Sequence, residues 1–129
     1  MNPRGGVAAP GSSWEVDGMQ IETGRQYAVV TGDVVNSSQL TADVRSELPG
    51  VIRRCAVELR AALPDAVPLD VAIYRGDAWQ MLVARPQDAL AAALHLRAGL
   101  QSAREDKRLD TRAAIAIALA ILVYILLWR

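Results

Sequence analysis

The chain has 129 residues, 52% of them hydrophobic, and its 14 basic and 14 acidic side chains cancel to a net charge of zero. That length suits one domain that buries a core without a structural metal. With no net positive field there is no general attraction for polynucleotides, so no nucleic-acid partner is expected. A single cysteine, Cys55, and a single histidine, His95, leave no internal disulfide, no Cys-built zinc site and no raw material for His-based triads. Cys55 falls among apolar helix positions and reads as a buried, inert thiol, and His95 reads as a solvated helix flank. Any chemistry must therefore run on carboxylates, hydroxyls, arginines and backbone amides.

Residues 1–26 are rich in Gly, Pro and Ser without sustained periodicity, which predicts a flexible lead-in. No basic start followed by an apolar run marks a signal peptide, so the expected location is the cytoplasm. Residues 27–33 alternate as a strand, with Tyr27, Val29, Thr31 and Asp33 on one face. After the Asn36-Ser37-Ser38 turn, Leu40, Val44, Leu48, Ile52, Cys55, Leu59 and Leu63 recur at helical spacing. Thr41 is the predicted N-cap, Pro49-Gly50 is expected to split the helix into two pieces, and Pro64 ends it. Residues 69–74 and 78–84 read as two strands joined by the tight turn "YRGD". Pro86 fits the first position of a second helix, whose stripe is Leu90, Ala93, Leu94 and Leu100. A last strand is expected over 111–117. The order βαββαβ predicts an α+β, ferredoxin-like sheet with its helices on one face. The organisation is a lead-in (1–26), one domain (27–118) and an apolar tail (119–129).

In this topology the first and third strands are central neighbours and run antiparallel, so Asp33 and Asp77 meet at one sheet edge. Two adjacent carboxylates repel, and a divalent cation such as Mg²⁺ or Mn²⁺ is the simplest way to keep both ionised. Gly32 and Gly76 precede them and leave room for backbone or phosphate. Residues 34–38 offer backbone N–H groups and two hydroxyls before a helix, which is good ground for a phosphate. A nucleoside triphosphate is the ligand that pattern suggests. The plainer alternative is that Asp33 caps a turn and Asp77 sits in a hairpin, where Asp is common.

The stretches "AVVTGDVVNSSQL", "YRGDAWQMLVARPQDALAAALHLRAGL" and "DTRAAIAI" resemble the SatD family of small bacterial proteins. More distantly, they are similar to the catalytic domain of class III nucleotidyl cyclases. The resemblance spans residues 27–118. It implies metal ligation by Asp33, Asp77 and the carbonyl of Val34, with Val35, Asn36, Ser37 and Ser38 around the phosphates. It also has gaps. Ile73 stands where many cyclases carry a purine-selecting lysine, and the segment that supplies their base-reading Asp and transition-state Asn and Arg has no counterpart before Arg129. The implied reading is metal–nucleotide binding by a truncated family member without full cyclase activity, and no residue is assigned a catalytic role.

From Ala113 to Trp128 the chain is apolar for 16 residues between Arg112 and Arg129. As a helix this run would span about 24 Å, just short of the roughly 17 to 20 residues that cross a bilayer. A final strand followed by a packed or self-associating tail is the favoured reading, which makes a homo-oligomer the expected state. The alternative functions are a non-catalytic protein-interaction module and a small protein anchored to a membrane by its C-terminal tail.

Overall fold

The computed structural model describes residues 13–16, 19–22 and 24–119. A short hairpin comes first, with β1 (Ser13–Val16) pairing antiparallel to β2 (Met19–Glu22). The lead-in is thus partly structured, and its sequence held a sign of this in the Asp17-Gly18 dipeptide that separates the strands. The domain follows as β3 (Gln26–Val34), α1 (Ala42–Ala62), β4 (Ala72–Tyr74), β5 (Ala78–Val83), α2 (Ala89–Ser102) and β6 (Thr111–Leu119). The expected βαββαβ order holds.

The sheet order is β4-β5-β3-β6 with every neighbour antiparallel. Strand β3 alternates its side chains between two faces. Ala28, Val30 and Val34 join Met81 and Val83 of β5 against Leu48, Ile52 and Leu59 of α1 and Leu96 and Leu100 of α2. Both helices therefore cover one face and hold the core there. The opposite face carries Tyr27, Val29, Thr31 and Asp33. At its far end the Tyr27 hydroxyl accepts the Glu22 N–H at 2.9 Å, and the Arg25 guanidinium lies 5.2 Å above the ring.

Thr41 caps α1 as its sequence predicts, its Oγ1 accepting the Val44 N–H at 3.3 Å. Pro49 does not split the helix, which runs unbroken from Ala42 to Ala62. A proline inside a helix costs about 3 kcal/mol. Leu48, Val51 and Ile52 beside it are all buried, and each full burial contributes about 1.5 to 3 kcal/mol. Burial wins. The strand expected from residue 69 begins only at Ala72, and the segment before it is tied to α1, the Arg60 guanidinium donating to the Val67 and Pro68 carbonyls at 3.2 and 2.9 Å. Pro86 opens a single 3₁₀ turn, and α2 starts at Ala89. Cys55 is buried, which pushes its thiol pKa up, and His95 is exposed. The predicted last strand is present as β6, and residues 120–129 of the apolar tail lie outside the described residues. No helix among the described residues is long and apolar enough to cross a membrane.

Candidate functional site

The end of β3 and the start of β5 meet as the topology requires. The Val34 N–H donates to the Asp77 carbonyl at 2.9 Å, and Asp33 stands opposite Ala78 on β5 and Arg112 on β6. Gly32 makes this approach possible. A Cβ there would lie 2.4 Å from the Trp79 ring and 2.5 Å from the Arg112 carbonyl oxygen. Trp79 is locked in turn, its indole N–H donating to Thr111 Oγ1 at 3.0 Å, while the Thr111 hydroxyl donates to the Asp33 carbonyl at 2.6 Å.

Asp77 is set by the turn before it. Arg75 and Gly76 have φ of 51° and 80°, and the Asp77 N–H closes the turn on the Tyr74 carbonyl at 3.2 Å. Two successive positive φ values make a two-residue hairpin turn of the kind whose twist matches the flanking strands.

The two carboxylates have different partners. Asp33 Oδ1 accepts from Arg112 Nε at 3.0 Å, and Asp77 Oδ2 accepts from the Ser37 hydroxyl at 2.6 Å. Ser37 begins a 3₁₀ turn through Gln39, which follows Asn36 in the left-handed region at φ 55°. The sequence reading offered all five amides of residues 34–38 to a ligand, and here it needs correcting. The Val34 N–H is held by Asp77, and the Val35 N–H donates to the Asp110 carbonyl at 2.8 Å. The sheet edge has claimed both. The amides of Asn36, Ser37 and Ser38 make no such bond among the described residues.

On the helix-free face a cavity of about 470 Å³ opens beside Asp33, with Arg112, Tyr74 and Arg75 on its walls and Ala78, Ala113 and Ala114 among its lining. Small side chains give it depth, and two guanidinium groups beside one carboxylate give it a positive bias. Among the described residues no three or more His, Cys, Asp or Glu side chains gather as a metal cage. Of the two sequence-predicted metal ligands, Asp33 lines this cavity, whereas Asp77 is not among its lining residues and holds the Ser37 hydroxyl. Carboxylate oxygens are hard donors of the kind Mg²⁺ or Mn²⁺ take, and those ions keep water or ligand oxygens in their shell rather than demanding an all-protein cage.

Sequence reasoning missed three side chains here. Arg112 became visible only through the β3–β6 register. Arg97 and Gln101 of α2 reach Asp110 just before β6, at 2.8 and 3.2 Å. The hydrogen bond from Arg97, together with the Thr111 N–H, holds the Asp110 carboxyl down at about 2. The only hint was the charged run "SAREDKRLD", which gives no partner assignments.

No protein-family model and no curated protein sequence matches the chain. Among solved structures it is similar to the active GGEEF domain of a diguanylate cyclase from Vibrio cholerae, at 12% identity and a TM-score of 0.58 over 73% of this chain and 63% of that one. It is also similar to the guanylyl cyclase Cya2, at 13% identity and a TM-score of 0.54 over 73% of this chain and 54% of that one. The chain thus spans less than two-thirds of either neighbour. At this identity the likeness shows the fold alone: the protein is an α+β domain of ferredoxin-like topology, the fold it shares with these two structures.

Proposed function

We propose that this domain binds a nucleoside triphosphate through Mg²⁺ or Mn²⁺ held by Asp33 and Asp77, without full cyclase turnover. The observation that carries the reading is the backbone hydrogen bond from Val34 to Asp77, which brings the two acidic segments to one sheet edge, next to a roughly 470 Å³ cavity that Asp33 lines. It joins residues from distant parts of the chain in an arrangement whose oxygens suit a hard cation. The Val34 carbonyl is the third protein ligand. The turn from Val35 through Asn36 and Ser37 to Ser38 would hold the phosphates, with the amides of residues 36–38 as the donors left to it once Val34 and Val35 are taken. The SatD-like motifs support the same reading, as does the cyclase-like fold. A bound divalent cation would screen the ligand's phosphate charge. The protein's own part is to orient those oxygens and to keep the turn in place.

Calorimetric titration of the full chain with MnATP and MnGTP tests this. The parent should bind at least one of them, and Asp33→Asn and Asp77→Asn should each weaken binding at least tenfold. Both substitutions should leave the fold intact: Asp33→Asn disturbs a solvent-open ion pair worth at most about 1 kcal/mol, and Asp77→Asn keeps an amide oxygen that can accept the Ser37 hydroxyl. A folded parent that binds neither complex would defeat the proposal.

One observation favours a second, compatible role. Strand β6 lies at the sheet edge, and its exposed Ile115 faces the exposed Leu90 and Leu94 of α2 across a groove of about 390 Å³. A strand edge that no other described strand pairs, beside an apolar patch, invites pairing, and we propose a second copy of this chain as the partner. Sedimentation should find a dimer that Leu94→Asp dissociates; a monomeric parent would remove this role.

A further inference from the structure

Resting on the metal reading above, we infer that Arg112 is a displaceable countercharge. It closes the cation site while no metal is bound and becomes part of an anion site once a metal arrives. In the structure its Nε lies 3.0 Å from Asp33 Oδ1, so the carboxylate a cation needs is already neutralised. The pair is weakly held. The Arg112 side chain is 73% exposed and that of Asp33 46% exposed, and pairs this open are worth little. A divalent cation has twice the charge of the guanidinium and takes the carboxylate at shorter range, so it wins the exchange.

The released guanidinium has somewhere to go. Arg112 lines the same cavity as Arg75, which makes no hydrogen bond or ion pair with any described residue. Arg75 is held there by a backbone conformation, φ 51°, that a non-glycine residue adopts at a cost. Strain of that kind at the rim of a cavity is one way a fold fixes a side chain for use. Before exchange the cavity holds one free guanidinium and one neutralised pair. After exchange it holds two guanidinium groups beside a metal-bound carboxylate. Two planar cations in one cavity suit an oxyanion with several oxygens, such as a polyphosphate. Cation and anion then bind in order, because the first creates the charge that the second needs.

The test pairs two titrations on the full-length parent and on Arg112→Gln. With Mn²⁺ alone, followed by electron paramagnetic resonance of the free ion, Arg112→Gln should bind about fivefold more tightly, since it loses a competing pair of about 1 kcal/mol. With MnATP at saturating Mn²⁺ the same variant should bind the nucleotide complex more weakly. Opposite signs in the two titrations are the signature, because a residue with a merely structural role would move both the same way. If the parent binds Mn²⁺ and the variant binds it no better, the inference is overturned while the metal reading stands. If neither binds Mn²⁺, both fall. If only the variant binds, Arg112 blocks the site without being displaced, and both the exchange and the metal reading fail for the parent.

Discussion

Gly32 and Arg75 carry the tightest constraints, and they pull in opposite directions. A methyl group on Gly32 would sit 2.4 Å from Trp79 and 2.5 Å from the Arg112 carbonyl. The neighbour on one side is backbone and cannot swing away. Gly32→Ala should therefore destabilise the fold by about 2 to 3 kcal/mol, measured as a lowered denaturant midpoint with an unchanged slope. Arg75 departs from its own turn chemistry, since the first position of this turn prefers Asn, Asp or Gly. Arg75→Asn should stabilise by about 1 kcal/mol by relieving left-handed backbone strain. If chemical denaturation shows no gain, the strain assigned to this residue is absent. In the sequence Arg75 is only the second residue of the turn "YRGD". Its positive φ follows from a two-residue link between antiparallel strands, a length known once both strand ends are fixed.

The elements were legible in proportion to how local their causes are. The alternation of β3, the Thr41 cap and the YRGD turn are set by residues within a few positions, and each appears where the sequence puts it. The continuity of α1 is different. It depends on Leu48, Val51 and Ile52 finding the core, which outweighs the local objection of Pro49. Since the lost backbone bond is still missing, Pro49→Ala should raise stability by about 1 kcal/mol or more, read from thermal unfolding. The turn into β6 shows a second kind of tertiary cause. Arg97 and the Thr111 N–H lower the Asp110 carboxyl from 3.8 to about 2. A group whose folded value is depressed stabilises the native state above its unfolded value and loses that contribution as pH falls through its folded value. Stability should thus decline between pH 3.8 and about 2, and Asp110→Asn should flatten that part of the profile. The site is open to solvent, so the effect stays below about 1 kcal/mol. An unchanged acid profile in the variant would assign the acid sensitivity elsewhere.

For the molecule entire, topology was the strongest legible feature and pairing register the weakest. The βαββαβ order alone brings residues 33 and 77 to one edge, although 43 positions separate them in the chain. It does not say which residue of β6 faces Asp33. The segment "TRAAIAIAL" repeats small and branched residues so evenly that several registers bury the same faces. The Arg112 partnership, and with it the charge of the cavity, was therefore hidden until the strands were paired. The central claim is that Asp33 and Asp77 serve one cation, and thermal unfolding with and without excess Mn²⁺ tests it most directly. Metal at about 100 times its dissociation constant stabilises a folded binder by about 2.7 kcal/mol, a rise of several degrees in melting temperature for a chain of this size. The predicted result is that Asp33→Asn and Asp77→Asn each erase that rise, and that the double variant is no worse than either single one, as for two ligands of one ion. A rise that survives in either single variant would contradict the shared site.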